Sequence, residues 1–308
     1  MNKQERVLAA LNGKEVDYIP YSLWYHFGTQ FLRAEKAADI EIAFYERYDF
    51  DFLKVMNDYS YPLPEGLDRI RTIEDWMQMK PVAVEDYCFS EQLKLLKIVA
   101  KRLKGEAFLL DTVFSPLGVA RRTAKDIIFD LLHSHPEKFK QGLHVITESL
   151  CNYVKAVIEV GAAGIFFSVN GATSDLFSKE EFQEFVKPYD LQVLSAVKDI
   201  GVFNVAHIHG YNLLFDQVTD YPVHAFSWAH LHSWPSLQEA QTLTDKCLIG
   251  GIDEHLTNMF HPDALESQIE SAVRETGGKK FILGPGCAIP TDMPPEQIDL
   301  IGRALRKA

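Results

Sequence analysis

The chain has 308 residues, 47% of them hydrophobic and 24% charged, with 43 acidic against 31 basic side chains and a formal net charge of −12. That is ordinary globular composition, in a chain long enough to bury a core without cross-links. An acidic chain with no lysine- or arginine-rich run is unsuited to nucleic acid or to anionic membrane surfaces, and to polyanionic substrates unless cations are gathered in one cleft.

The opening "MNKQERVLAALNGKEVDYIP" lacks the apolar core of a secretory signal, and Val7, Leu8 and Leu11 at helical spacing predict a short amphipathic helix. No stretch approaches the roughly 20 apolar residues needed to span a bilayer, so a cytoplasmic location is expected. Strands are then expected over 17–24, 51–56, 107–114, 163–169, 202–208, 223–229, 246–252 and 279–286. Helices are expected over 90–104, 137–160, 178–199, 262–276 and 294–306, the third opened by the Ser-x-x-Glu spacing of a capping box. The longest extra piece, 59–100, falls between the second and third strands and suits a flap or subsidiary helices. Eight strands alternating with helices predict an α/β protein: one (β/α)₈ TIM-barrel domain over 1–308, with an N-terminal helix and an insertion between strands two and three. The competing open, doubly wound sheet finds no support, since no GxGxxG follows the first strand and no P-loop pattern occurs.

In such a barrel the active site lies at the C-terminal strand ends. Those ends carry Trp24 and His26, Asn57 and Asp58, Asp111, Ser168 and Asn170, His207 and His209, Ser227 and Trp228, Asp253 and Glu254, and Cys287. Cys88, Cys151, Cys247 and Cys287 form no CxxC pair, and in a reducing compartment they are expected as free thiols. Cys151 and Cys247 sit in regular elements and read as core, whereas Cys287 lies in the loop "GPGCAIP". In "NVAHIHGYN", His207 and His209 are two apart on an extended segment and so share one face. With Cys287 approaching across the mouth, two imidazoles and a thiolate suit Zn²⁺ and leave a position open for substrate. The alternative is a pair of half-buried histidines where a strand surfaces. His230 and His232 are expected on a loop, facing solvent. Asp58 or Glu254 could orient a substrate or handle a proton, although Asp58 equally suits a turn or cap. Trp24, Tyr25, Phe27 and Trp228 either wall a small-ligand pocket or belong to the core, and His26 and Asn170 are candidate substrate contacts.

Four segments resemble the uroporphyrinogen decarboxylase superfamily. They are "RVLAALNGKEVDYIP" (6–20), "GAAGIFFSVNGATSDLFSKEEFQEFVKPYDLQVL" (161–194), "LIGGIDEHL" (248–256) and "FILGPGCAIPTDMPPEQI" (281–298). The superfamily's decarboxylases use an arginine-rich loop after the first strand, where this chain reads "SLWYHFGTQFLRAEK". Their catalytic aspartate would correspond to Asp58, and their last-strand histidine is replaced by Cys287. The superfamily's zinc methyltransferases carry His-x-Cys and a later Cys. There His207 matches the first ligand and Cys287 the last, while His209 stands in place of a cysteine. One thiolate and two imidazoles leave Zn²⁺ a formal charge of +1, which favours Lewis-acid activation of a leaving oxygen over a nucleophilic thiolate. The resemblance implies a zinc-dependent methyltransferase with metal on His207, His209 and Cys287. It would act between a small methyl donor or thiol acceptor and a corrinoid on a partner protein, as a demethylase component where the donor is methylated. The corrinoid would come from a partner because no Asp-x-His-x-x-Gly motif is present. The alternatives are a metal-free decarboxylase-like lyase and a non-catalytic tetrapyrrole- or corrinoid-binding protein.

Overall fold

A computed structural model describes residues 1–255 and 262–305 of the chain. Seven parallel strands form one sheet in sequential order: β1 (Phe52–Val55), β2 (Phe108–Phe114), β3 (Gly164–Asn170), β4 (Val205–His209), β5 (Ala225–Trp228), β6 (Cys247–Ile252) and β7 (Phe281–Pro285). The sheet curls into a TIM-barrel-like α/β fold with helices outside it. Only β4 and β5 are joined by a 3₁₀ turn, Phe215–Gln217, with no α-helix between them.

Among the described residues there are seven strands, not the eight expected. Segment 17–24 makes a single parallel bridge, between Tyr21 and Leu283. It still fills the gap between β7 and β1. The Leu283 amide donates to the Pro20 carbonyl (2.9 Å), the Asp51 amide to the Tyr21 carbonyl (3.0 Å), and the Ser22 hydroxyl to the Phe52 carbonyl (2.8 Å). Pro20 has no N–H to donate, which limits the ladder at this seam.

The period of two along each strand sorts side chains to two faces. Phe52, Met56, Leu110, Phe166, Val205, Ala225, Cys247, Ile249 and Ile282 form an inner core with Trp24. Leu53, Val55, Leu109, Phe167, Ile208, Phe226 and Trp228 belong to the outer layer, packed with the helices.

The helix expected over 178–199 is two helices, Lys179–Phe185 and Lys187–Ser195. Pro188 cannot bond four residues back, and its ring crowds that turn. Ser178 does close a reciprocal capping box with Glu181. The other expected helices appear as Tyr87–Leu103, Pro136–Glu159, Pro262–Thr276 and Pro295–Leu305, with position 306 outside the described residues. Between β1 and β2 lies the short helix Ile73–Trp76, whose Trp76 stacks on Phe139 at 5.2 Å and donates its indole N–H to the Phe139 carbonyl (3.1 Å). The N-terminal helix Lys3–Leu11 buries Arg6, Val7, Ala9 and Ala10. Leu8, expected on the apolar face, is exposed. No helix among the described residues is long and apolar enough to cross a membrane.

Candidate functional site

The strand register sets His207 of β4 level with Ser168 of β3 and Ser227 of β5, and His209 level with Asn170. His207 is buried, stacked on Phe166 with ring centroids 5.5 Å apart, and its Nδ1 lies 3.3 Å from the Ser227 hydroxyl. With Nδ1 engaged there, Nε2 is the nitrogen left to ligate, the usual way a neighbour fixes a metal-binding imidazole. His209 stands further out at the mouth, its Nδ1 4.0 Å from Cys287 Sγ. One ligand atom from each of His207, His209 and Cys287 lies within 4.8 Å of the others. Two further strand positions thus converge with a loop residue from after β7, as the shared face of 207 and 209 requires.

The protonation states suit cation binding. Burial lowers the His207 pKa and outweighs the opposing pull of the Cys287 thiolate. Partial desolvation and the Arg121 guanidinium lower that of His209. Both imidazoles are therefore neutral near pH 7. Burial pushes the Cys287 thiol up, but His207, the Ala288 amide and the Lys54 ammonium more than offset it and hold the thiol below its usual range. Neutral imidazoles and an acidified thiol are the forms a zinc ion takes up.

The cleft beside these donors, open to solvent, spans about 440 Å³ and is lined by Trp24, His26, Lys54, Met56, Thr112, Phe114, Phe166, Ser168, Asn170, His207, His209, Cys287 and Ala288. A second recess shares His207, His209 and Cys287 with this cleft and is also lined by Tyr211, Glu254 and Gly286. A methyl group at residue 286 would overlap both the Glu254 carboxylate and the Ala229 backbone, and because the backbone cannot give way, glycine is required. Burial raises the Glu254 carboxyl above its usual range.

A family model described as uroporphyrinogen decarboxylase (URO-D) matches residues 2–308. The chain belongs to the uroporphyrinogen decarboxylase family. Within that family it resembles proteins of two names. A methylcobamide:CoM methyltransferase MtbA from Methanosarcina acetivorans is 23% identical over 46% of this chain and 42% of its own length. The chain therefore spans less than half of that relative. A methylcobamide:CoM methyltransferase MtaA from Methanosarcina barkeri is 24% identical over 77% of this chain and 67% of its own. A uroporphyrinogen decarboxylase from Prochlorococcus marinus (strain NATL2A) is 24% identical over 74% and 66%. Among solved structures, a methyltransferase from Methanosarcina mazei superposes with a TM-score of 0.79 at 18% identity, covering 100% of this chain and 98% of that one. That likeness shows the fold.

The remaining candidates in this URO-D family chain are distributed unevenly. His26 lines the cleft and its Nδ1 is 2.9 Å from the Asp58 carboxylate, which Arg122 approaches at 3.7 Å. Burial raises the Asp58 pKa, but the hydrogen bond and charge of His26, with Arg122 and Lys54, bring it below the usual carboxylate range. Asp58 itself is set behind His26. Asn170 lines the cleft and donates to the Ser168 carbonyl (3.1 Å). Trp228 falls on the outer face of β5, fully buried, with its indole N–H donated to the Pro235 carbonyl (2.8 Å). Of the other aromatics, Trp24 lines the cleft, while Tyr25 and Phe27 pack with Phe44 in a separate cluster. Asp111 likewise faces outward, bonded by Tyr153 (2.7 Å) and Gln92 (2.8 Å). His230 does not face solvent as expected: it is largely buried, its Nδ1 has no hydrogen-bond partner, and burial lowers its pKa to about 4. His232 is exposed, and with His255 it donates to one oxygen of Asp253, both at 2.8 Å.

The residue that sequence reasoning missed is Lys54. It is 3% exposed, lines the cleft, and burial pulls its pKa down to about 7. The signal was present in "DFLKVM": Lys54 alternates with Phe52 and Met56, which puts it on the inner face.

Proposed function

We propose that the protein is a zinc-dependent methyltransferase that moves a methyl group between a small methylated or thiol substrate and a corrinoid carried by a separate protein. The observation that carries this reading is the convergence of His207, His209 and Cys287 at one cleft mouth, within 4.8 Å of one another. The relatives named methylcobamide:CoM methyltransferases support it. Zinc held there would supply Lewis acidity toward a sulfur or oxygen of the substrate, and the +1 charge of a His₂Cys set favours a methylated oxygen donor, in a demethylase role.

The chain's own residues supply the rest. Ser227 fixes the His207 ring. Trp24 and Phe166 wall the cleft and exclude water from the reacting group. Asn170 and His26 contact the substrate. Glu254, its carboxyl raised by burial, holds or releases the proton of the leaving group or incoming thiol. Trp228 supports β5 from behind. The proposed place of work is the cytoplasm, beside a corrinoid carrier.

One observation favours a second reading, a metal-free decarboxylase-like lyase. Asp58 is held ionised by His26 at the end of β1, and decarboxylases are among the relatives. Against it, among the described residues the cleft is lined by a single lysine and no arginine, too few cations for a polycarboxylated pyrrole.

The test is incubation with reduced cobalamin and a methyl ether donor, and in parallel with methylcobalamin and a thiol, following the visible spectrum of the corrinoid. The account expects demethylation by wild type and its loss in Cys287→Ser. Unchanged turnover in Cys287→Ser, or CO₂ release from uroporphyrinogen by metal-free protein, would overturn it.

A further inference from the structure

A different cluster of metal-binding side chains gathers where the chain leaves β5 and β6, and none of its three residues lines the cleft or the recess. His232 follows β5, while Asp253 and His255 follow β6, its neighbour in the sheet. His232 Nε2 and His255 Nδ1 each lie 2.8 Å from Asp253 Oδ1, and the His255 amide donates to the same oxygen at 2.8 Å. The two imidazoles meet edge to face, with ring centroids 4.1 Å apart. Hydrogen bonding alone accounts poorly for this convergence. A carboxylate oxygen offers two lone pairs, and here three N–H groups crowd onto one. Spacings of 2.8 Å between oxygen and nitrogen are also those of neighbouring donors on a single ion, whose bonds run about 2.0–2.2 Å. Asp253 is buried, whereas the rings of His232 and His255 are 29% and 43% exposed. The anchoring charge is thus sheltered, and the remaining coordination positions open on water.

We propose that His232, Asp253 and His255 bind a divalent transition-metal ion, separate from the one proposed at His207, His209 and Cys287. One ligand atom from each of the three lies within 4.8 Å of the others. Two imidazoles and a carboxylate suit zinc or iron(II), whereas calcium and magnesium take oxygen donors. On binding, the proton on each liganding ring nitrogen passes through solvent to the other nitrogen of that ring. The His255 amide keeps its hydrogen bond to Asp253, so the oxygen serves one N–H and one ion. The ion then ties the segment after β5 to the segment after β6. Glu254 stands between two of the ligands in sequence, and its own side chain lines the recess with Cys287. The second site therefore holds the backbone that carries Glu254 to the cleft mouth. This inference goes beyond the methyl-transfer reading and does not depend on it.

The experiment is titration of the chelator-stripped double variant His209→Ala, Cys287→Ser with cobalt(II) chloride, followed by visible absorption and by Tm. That parent has lost two donors of the other cluster, the thiolate among them. It should bind about one cobalt per chain, with ligand-field bands, no thiolate charge-transfer band, and a Tm that rises as the site fills. Adding His232→Gln or His255→Gln should weaken binding by about a hundredfold or more and remove the rise in Tm. In the parent itself, bound cobalt should shift the ring-proton NMR signals of His232 and His255, a readout that needs no further variant. Failure of the parent to bind cobalt saturably, affinity unchanged by both glutamine substitutions, or shifts confined to other histidines would overturn the proposal. No methyl transfer is measured and the thiolate is gone, so failure of the methyltransferase reading leaves each of these outcomes unchanged.

Discussion

His209 gives this cleft its chemical character. With Zn²⁺ bound as proposed, a cysteine there would make the donor set electrically neutral, whereas the imidazole would leave a formal charge of +1. Two residues then carry separable predictions. Glu254→Gln removes the carboxylate proposed to handle the proton without touching a proposed donor, so kcat should fall by roughly 10²-fold with metal content unchanged. Steady-state rates on metal-replete protein check this, and wild-type kcat in the variant would leave Asp58 as the acid/base candidate. Lys54→Met removes a buried charge with no carboxylate partner and sets an apolar side chain among Trp24, Phe166 and Met56. It should raise stability by about 1–2 kcal/mol in urea denaturation.

At the scale of single elements, the strand period explains both what the sequence revealed and what it hid. His207, His209 and Cys287 could be gathered from the sequence because a two-residue spacing on β4 and a loop after the last strand suffice to place them. Lys54 follows the same alternation but sits in an apolar run, where a charged residue is easily read as a strand edge. Trp228 shows the reverse: it lies at a strand end, yet one residue of parity turns it from the cleft to the helix layer. The break at Val186 and Pro188 was legible in the proline. The uncapped burial of His230 was not, because it depends on loop packing against Gly250 that has no sequence period.

Helix Pro136–Glu159 and helix Lys187–Ser195 each yield an element-scale prediction. Gly142 faces Trp76, and a methyl group there would overlap the indole. Gly142→Ala should therefore cost about 1–3 kcal/mol by overpacking, despite alanine's better helix propensity. Asp190 is fully buried, accepts one hydrogen bond from Tyr221 (2.9 Å), and leaves Oδ1 without a partner. Burial raises its pKa well above the usual carboxylate value. Between the unfolded and folded pKa values the native state holds the extra proton, so this group's contribution to stability declines as pH rises above about 4. Asp190→Asn should flatten that decline, and urea midpoints at pH 5 and pH 8 measure it.

For the molecule as a whole, the seam between β7 and β1 is where the barrel is most weakly laced and where the N-terminal helix is attached. Arg6, 5% exposed, reaches Asp51 (2.6 Å) and Asp17 (2.7 Å), while Asp51 also accepts from the Tyr21 amide (3.0 Å). One buried aspartate thus joins the helix, the closing segment and the residue preceding β1. Arg6→Met leaves Asp51 buried without its cation and should destabilise the fold by about 3–5 kcal/mol in denaturant titration. Loss of that network opens the same seam whose upper end carries Trp24 into the cleft, so the closure that stabilises the barrel also shapes the site.

The central claim is that His207, His209 and Cys287 hold a metal. Its most direct test is elemental analysis of wild type, His209→Ala and Cys287→Ser, purified from zinc-replete culture without chelator. The account predicts about one zinc per wild-type chain, as a three-donor site retains, and a clear loss in both variants with the fold intact. Metal-free wild type, or zinc retained equally in both variants, would contradict it and leave the two histidines as pocket residues of a metal-independent enzyme.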